Sequence, residues 1–171
     1  MIRLIAIVEK KFGLSKNGKI PWEFEEDRAF FQKLTRNSAV IMGKNTFFSH
    51  ENFPLKDRIN CVITKTDIPN AICFSTLEEA VKTYPNAWII GGAQLYNYAL
   101  QRNLIDEAII THVNQEYEAD TFLNAKYLKN FDRELIIKKN NYSVWKWRKR
   151  SEPQKGNQPR ERYLKEANSP T

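Results

Sequence analysis

Short apolar runs alternate with amphipathic stretches along most of this chain. The apolar runs have the length and the β-branched content of buried strands, and we predict strands at Arg3–Val8, Ala39–Met42, Arg58–Thr64, Ala71–Phe74, Ala87–Ile90 and Glu107–Val113. Helical spacing lies between them, at Asp27–Leu34, after Gly43–Thr46, at Thr76–Tyr84 with Ser75 or Thr76 as its cap, and at Ala93–Leu100. Strands that alternate with helices predict an α/β fold with a mostly parallel central sheet, flanked by helices on both faces.

The last third of the chain has a different pattern. Leu135–Lys146 and Arg162–Lys165 are predicted strands, and the polar stretch Arg148–Arg160 separates them. This arrangement predicts a C-terminal antiparallel hairpin with a long basic loop at about 148–160. No linker or internal repeat divides the 171 residues, so we expect a single domain over residues 1–171.

The formal net charge of +7 comes from the C-terminal segment. Residues 138–171 contain ten lysines and arginines and three glutamates, and ten minus three is +7, so residues 1–137 are balanced. A basic run attracts anions or nucleic acid. Without a recognition motif it is more typical of a solvated loop, and we expect no nucleic-acid partner.

Membrane and metal classes find no support in the sequence. No apolar run approaches the ~20 residues that span a bilayer, and Glu9-Lys10-Lys11 follows the apolar start where a signal peptide would have a cleavage site. Cys61 and Cys73 lie in separate apolar runs without metal-ligand spacing. We therefore expect free thiols in a cytoplasmic protein, no membrane contact and no metal site.

One carboxylate is a candidate functional group. The first turn of the first predicted helix is acidic and contains Glu25, Glu26 and Asp27. The helix dipole favours negative charge at this position. Counting from Asp27, large apolar residues follow on the same helical stripe at Phe30, Phe31 and Leu34. A carboxylate against apolar side chains has a raised pKa and is a functional candidate. The alternative is that Asp27 only stabilises the helix start, with its carboxylate at the surface.

Two glycine-containing turns follow strands and open helices, namely Gly43-Lys44-Asn45-Thr46 and Gly91-Gly92-Ala93. Small residues let a phosphate approach the free N–H groups of a helix start. Neither turn is a Rossmann fingerprint or a P-loop, and each alone also suits a tight connection. Together they would suit a dinucleotide, and Thr64-Lys65 is either a further anion contact or plain surface.

Other catalytic arrangements are missing from the sequence. His112, beside Thr111 in a predicted strand, is more typical of a structural histidine than of an acid–base group. No Ser-His-Asp set, carboxylate pair or Cys-His pair stands out. One carboxylate with apolar and aromatic surface suits a flat organic ring and a cofactor that carries the difficult chemistry.

In their order and spacing, these segments resemble dihydrofolate reductase over about residues 1–125, and loosely in the terminal hairpin. The residues that carry the resemblance are Leu4-Ile5-Ala6, Gly18–Trp22, Asp27, Phe31, Thr35, Val40–Phe47, Pro54-Leu55, Arg58, Ile89–Tyr96, Thr111-His112 and Asp120–Phe122. The resemblance favours the functional interpretation of Asp27. It implies a dihydrofolate-reductase-like fold and a small-molecule substrate, and we expect a monomer.

The resemblance implies a substrate site in which a pteridine ring lies between Ile5, Phe31 and Ile90. Asp27 would bind the amino group and ring N–H of the pteridine, Thr111 would hydrogen-bond the same carboxylate, and Trp22 would hold an ordered water. Arg58 would pair with the α-carboxylate of the glutamate tail, which suits the guanidinium fork.

The resemblance also implies NADPH as cofactor. The nicotinamide would lie near Ala6, Ile7, Leu14, Ser49 and Tyr96. The pyrophosphate would lie on Gly43, Lys44, Asn45 and Thr46 and on Gly91, Gly92, Ala93, Gln94 and Leu95. Lys44 and the Thr64-Lys65 turn would take the 2′-phosphate, which favours NADPH over NADH.

The implied reaction is hydride transfer from NADPH to C6 of 7,8-dihydrofolate, with N5 protonated through water while Asp27 tunes the ring electrostatically. The loop Glu9–Ile20 would close over the nicotinamide. Two alternatives are the related reductase of riboflavin synthesis, with the same fold and cofactor, and a non-catalytic scaffold or nucleic-acid binder that uses the basic tail.

The sequence departs from the family pattern at several positions. Ser15 stands where the loop usually has glycine, and the other loop glycine is displaced by one residue, to Gly13. Lys56-Asp57 precedes Arg58 where many members have Pro-Gly. Arg28 replaces an uncharged or acidic residue near the glutamate tail, and Gln94 stands where some members have an arginine for the 2′-phosphate.

Overall fold

Strands and helices alternate through residues 1–49 and 52–151, the residues that the computed structural model describes. The strands are β1 Arg3–Val8, β2 Gly13–Ser15, β3 Ala39–Gly43, β4 Ile59–Ile63, β5 Ile72–Phe74, β6 Trp88–Gly91, β7 Glu107–Val113, β8 Thr121–Phe122, β9 Phe131–Lys138 and β10 Tyr142–Lys149. The α-helices are α1 Glu25–Thr35, α2 Lys44–Phe48, α3 Leu77–Thr83 and α4 Ala93–Gln101, and a short 3-10 helix covers Ala125–Leu128.

Eight of these strands form one sheet in the order β5-β4-β3-β6-β1-β7-β10-β9. The pairs from β5 to β7 are parallel, whereas β10 runs antiparallel to both β7 and β9. The prediction of a mostly parallel sheet with a C-terminal antiparallel hairpin is confirmed.

Hydrophobic side chains cover both faces of the sheet because successive residues of a strand point in opposite directions. In β1, Leu4 and Ala6 belong to one cluster with side chains of α3 and α4, whereas Ile5 belongs to a second cluster on the other face. Three residues of α1 pack against that second cluster, at Phe30, Phe31 and Leu34. The spacing that predicted the apolar stripe of α1 therefore identifies the side on which this helix packs.

The hairpin itself differs from the prediction of one strand over Leu135–Lys146, which is wrong. β9 ends at Lys138 and β10 begins at Tyr142, and Lys139 N donates to Tyr142 O at 2.9 Å across the turn. Asn140-Asn141 was the available signal, since asparagine favours turns. The predicted partner strand Arg162–Lys165, and the predicted basic loop beyond Ser151, lie outside the described residues.

The segment predicted as a plain loop, Glu9–Ile20, contains regular structure. β2 pairs with β8 in a small antiparallel sheet, and Lys16 and Lys19 form an isolated bridge. The Ser15 side chain contacts that of Thr121, with 2.5 Å between the two hydroxyl oxygens. This segment is thus joined to residues more than 100 positions later in the chain.

The cysteines are free thiols, with Cys61 buried and Cys73 half-buried. Within the part of the chain that the structure covers, no helix is long and apolar enough to cross a membrane.

Candidate active site

A carboxylate and a hydroxyl meet between α1 and the sheet. Thr111 Oγ1 donates a hydrogen bond to Asp27 Oδ1 at 2.6 Å. Thr111 is only 4% exposed, because its strand β7 lies inside the sheet with β1 on one side and β10 on the other. The stripe that carries Phe30 and Phe31 also turns Asp27 towards the sheet, so the carboxylate is half-buried.

Burial raises the pKa of Asp27, and the Thr111 hydrogen bond offsets part of that rise. The two causes act in opposite directions because burial disfavours the charged carboxylate, whereas a donor stabilises it. The carboxylate therefore has one oxygen held by the protein. Among the described residues, no hydrogen bond occupies Asp27 Oδ2, which is free to accept from a ligand.

The apolar residues predicted around the pteridine ring belong to the hydrophobic cluster between α1 and the sheet. Ile5 is buried in it, and Phe31 and Ile90 pack against it half-buried. Trp22, which precedes α1, is 6% exposed, and its Nε1 is buried without a hydrogen-bond partner among the described residues. Its ring lies 5.0 Å from that of Tyr117, centroid to centroid.

Arg58 lies at the other end of α1, half-buried and held on three sides. Its Nε donates to Thr35 Oγ1 at 3.2 Å, its Nη1 to Lys56 O at 2.7 Å, and its Nη2 to the backbone and side-chain oxygens of Gln32. Burial and the charge of Arg36 lower the pKa of Arg58. Asp57 precedes it with a φ of 61°, a conformation that a glycine at this position would adopt easily.

The two glycine-containing turns lie side by side. Met42 in β3 pairs with Gly91 in β6, so the ends of these strands and the starts of α2 and α4 are neighbours. A Cβ atom on Gly91 or on Gly92 would lie 3.4 Å from Thr46 Oγ1, and the φ of Gly91 is 138°. The distance is close to an ordinary contact, so it is the positive φ that favours glycine at position 91.

Both helix starts lack a side-chain cap. Neither Gly43 before α2 nor Gly92 before α4 provides a side-chain acceptor, whereas Thr76 Oγ1 accepts from Glu79 N at the start of α3. The first N–H groups of a helix need an acceptor from outside the helix. The two adjacent starts therefore have backbone donors available for an anion.

The remaining residues predicted around the cofactor surround these turns or lie on neighbouring strands. Tyr96 Oη donates to Ile5 O at 2.6 Å, and burial raises the pKa of Tyr96, so this side chain joins α4 to β1. Ala6 and Leu14 are buried, Ile7, Ala93 and Leu95 are half-buried, and the polar residues Lys44, Asn45, Ser49, Lys65 and Gln94 are exposed. Thr64 Oγ1 accepts from Thr66 N at 3.2 Å, which shapes the turn around Lys65.

Comparison with known proteins agrees with this geometry. The family model described as "Dihydrofolate reductase" matches residues 1–154. The chain is 35% identical over 153 residues to "Viral dihydrofolate reductase" of Saimiriine herpesvirus 2 (strain 488), covering 77% of this chain and 72% of that protein. It is 30% identical over 150 residues to "Dihydrofolate reductase" of Gallus gallus, covering 74% and 79% of the two chains.

This chain belongs to the dihydrofolate reductase family. The family is one of oxidoreductases, so the resemblance described above is confirmed. A third relative, "Putative dihydrofolate reductase" of Caenorhabditis elegans, is 30% identical over 166 residues, which is 84% of this chain and 85% of that protein.

A cavity of about 380 Å³ opens between α1 and the hairpin of this dihydrofolate reductase family member. Asp27 lines it, together with further residues of α1, among them Phe30, and with residues of β9, β10 and their turn. Ile5, Phe31 and Ile90 do not line it. The Asp27 carboxylate therefore has open space beside the helix as well as apolar residues beneath it.

Asp120, for which the sequence predicts no role beyond its place in the Asp120–Phe122 motif, holds the loop after β1. Asp120 Oδ2 accepts from Asn17 N at 2.8 Å, and Asp120 N donates to Ser15 O at 2.9 Å. Ser15 O is thus the backbone acceptor that joins this loop to Asp120. The only available signal was the position of Asp120 in the Asp120–Phe122 motif.

His112 and Arg28, two further charged or titratable residues noted in the sequence, contact other side chains of the protein. His112 is buried against Phe12 and Trp147, and burial together with Arg133 lowers the pKa of His112 to about 3. This imidazole is neutral at physiological pH, as expected for a structural histidine. Arg28 is exposed and pairs with Glu23 at the surface. Among the described residues, no three His, Cys, Asp or Glu side chains form a metal-binding group.

Proposed function

We propose that this chain reduces 7,8-dihydrofolate to 5,6,7,8-tetrahydrofolate, with NADPH as the hydride donor to C6 and protonation of N5. The observation that carries this proposal is the Asp27–Thr111 pair, half-buried on the apolar side of α1. A single carboxylate against apolar residues matches a flat heterocycle that offers N–H donors along one edge. The family match and the dihydrofolate reductases among its relatives support the same substrate.

In this proposal the carboxylate binds and polarises the substrate. Asp27 Oδ2 accepts from the pteridine amino group or ring N–H, while Thr111 keeps Oδ1 in place. The negative charge favours the positive charge that develops on the ring when N5 gains a proton, and low dielectric surroundings strengthen that effect. The proton itself comes through water, and Trp22 Nε1, which has no hydrogen-bond partner among the described residues, is a donor that orients this water.

The residues around the two glycine turns fit NADPH. Uncapped starts of α2 and α4 offer backbone N–H groups to the pyrophosphate, and the absence of side chains at Gly91 and Gly92 allows close approach. Lys44 and Lys65 are exposed cations for a 2′-phosphate. When bound, the nicotinamide supplies the hydride.

Arg58 is the proposed partner of the glutamate tail. Its guanidinium is fixed in position by Thr35, Lys56 and Gln32, so little conformational entropy remains to be lost when it binds a carboxylate. The lowered pKa of Arg58 leaves it charged, because guanidinium groups stay protonated in proteins. Four of the five N–H groups of Arg58 donate to these three residues, so one N–H of Nη1 is left for the tail carboxylate, and a second contact requires the Gln32 side chain to move.

The test is to mix the purified full-length chain with NADPH and dihydrofolate and to follow the absorbance of NADPH. We expect consumption that needs both compounds and that falls strongly when NADH replaces NADPH. Omission of dihydrofolate is the control for unspecific oxidation. No consumption by a folded sample, judged by its circular dichroism, would contradict the proposed activity.

A further inference from the structure

Glu9, directly after β1, is a charged residue with almost no exposure to solvent. It is 1% exposed. Its Oε1 accepts from Lys11 N at 2.6 Å and from Gly13 N at 2.8 Å, and its Oε2 accepts from Tyr117 N at 3.4 Å. One carboxylate therefore binds the backbone of two segments that are more than 100 residues apart in the sequence.

The partners of Glu9 explain how a buried carboxylate is tolerated. Burial of a charge is costly unless hydrogen bonds compensate for it, and here backbone donors do so. None of the ion pairs of the described residues includes Glu9. Its effect is therefore to fix the positions of backbone groups, not to balance a nearby cation.

Gly13 is shaped to this carboxylate. A Cβ atom at this position would lie 2.9 Å from both Cγ and Oε1 of Glu9 and 2.6 Å from Cβ of Ala119. Distances this short exclude a side chain. Glycine at position 13 is therefore what allows the Glu9 carboxylate to reach this backbone.

Tyr117 connects this carboxylate to the candidate active site. Its N–H is bound by Glu9, and its ring packs against that of Trp22 with 5.0 Å between the centroids. Trp22 is buried, with Nε1 unpartnered among the described residues. The Glu9 carboxylate and the Trp22 indole therefore contact the same residue, one at its backbone and the other at its ring.

We propose that Glu9 is a positioning residue for Trp22. It holds Trp22 in the active site by fixing the backbone of Tyr117 and the first turn of the Glu9–Ile20 loop, which leads to Trp22. The proposal rests on the proposed function only for the role of Trp22 in catalysis. The link from Glu9 to Trp22 is a property of the free protein and has its own measurement.

The decisive variant is Glu9→Gln. Glutamine retains one oxygen for Lys11 N and Gly13 N, but its amide group replaces Oε2 and cannot accept from Tyr117 N. The matched control is Glu107→Gln, since Glu107 is also buried, at 6% exposure, but accepts from Arg148 Nε at the opposite end of β7.

The first measurement is the nitrogen–proton NMR spectrum of the indole groups, in which Trp22→Phe identifies the Trp22 signal among the four tryptophans. We expect Glu9→Gln to shift or broaden the Trp22 signal and leave those of Trp88 and Trp147 in place. Glu107→Gln should leave the Trp22 signal unchanged. If Glu9→Gln does not fold, Tyr117→Leu, which removes the ring contact with Trp22 and the hydrogen bond from Tyr117 Oη to Gln115 Oε1 but keeps the backbone N–H, is expected to change the Trp22 signal as well.

The second measurement is steady-state turnover of dihydrofolate. Glu9→Gln should lower kcat roughly fivefold to tenfold while KM changes less than about twofold, because the substrate contacts at Asp27 and Arg58 are untouched. The Glu9→Gln/Tyr117→Leu double variant should lose no more than the worse single variant. Glu107→Gln should keep the wild-type kcat.

An unchanged Trp22 signal in folded Glu9→Gln, or fully additive losses of kcat in the double variant, would overturn the inference. Absence of turnover in the wild-type protein would contradict the proposed function alone. A shifted Trp22 signal would in that case still establish the link between Glu9 and Trp22.

Discussion

Replacement of Thr111 by valine removes the one hydrogen bond that the described residues give to the Asp27 carboxylate. Valine has nearly the same shape, so the strand pairing of β7 with β1 and β10 is retained. The lost contact is the 2.6 Å bond from Thr111 Oγ1 to Asp27 Oδ1. Thr111→Val therefore isolates the interaction that holds the proposed catalytic carboxylate.

The expected loss of stability follows from the surroundings of the bond. Hydrogen bonds to charged groups contribute about 1.5–3 kcal/mol net. Asp27 is half-buried, so water replaces part of the lost donor, and we expect a value near the lower end, about 1.5 kcal/mol at neutral pH. For a chain of this size that corresponds to a decrease in Tm of roughly 3–6 °C.

The loss of stability caused by Thr111→Val should become smaller as the pH falls. Burial raises the pKa of Asp27 above 3.8, its ordinary value, so the folded protein keeps the proton to a higher pH than the unfolded chain does. Stability therefore decreases as the pH rises through this window, and the Thr111 bond opposes that decrease by favouring the charged form. The cost of Thr111→Val should be complete above the folded pKa and shrink as the carboxylate is protonated.

The assay is denaturant unfolding of both proteins at a series of pH values from about 8 down to about 4. Thr35→Val is the matched control, because Thr35 is also buried but its hydroxyl contacts Phe31 O and Arg58 Nε, neither of which titrates in this range. Its cost should be constant with pH. An equal loss for Thr111→Val at all pH values would refute a bond to an ionised Asp27.

Two further predictions concern the ends of the proposed ligands. Arg58→Leu should weaken binding of folate about tenfold or more but leave binding of pteridines without a glutamate tail unaffected. Fluorescence titration measures both affinities, and equal losses for the two ligands would exclude the tail contact. Lys44→Gln should raise the KM for NADPH severalfold and that for NADH less, because both cofactors have the pyrophosphate but only NADPH has the 2′-phosphate. Lys82→Gln, on the exposed side of α3, is the control and should change neither KM.

The features that the sequence predicts well are those determined by local spacing. The helical period that places Phe30 and Phe31 on one stripe also determines the side to which Asp27 points, and the alternation of β1 determines which residues face α1. The bounds predicted for β1 and β7 are those observed. Each depends only on residues a few positions apart.

The features that the sequence does not reveal depend on contacts between distant segments. Glu9 occurs in a polar stretch where a charged residue is normally solvated, and its burial depends on the backbone of Tyr117, 108 residues later. The short strands β2 and β8 have too few residues to show a period. The turn of the hairpin, by contrast, has a local signal, because the polar run Lys138-Lys139-Asn140-Asn141 interrupts the segment Leu135–Lys146.

The central claim is that the Asp27 carboxylate carries the reaction by favouring a protonated substrate ring. Its most direct test is the pH dependence of dihydrofolate reduction by Asp27→Asn, compared with the wild-type protein. Asparagine keeps the shape of the side chain and an oxygen that accepts from Thr111, but it has no charge. We expect a loss of about two or more orders of magnitude in kcat at neutral pH. Partial recovery should follow in acid, where solvent protonates more of the substrate, and wild-type rates in the variant at neutral pH would contradict the claim.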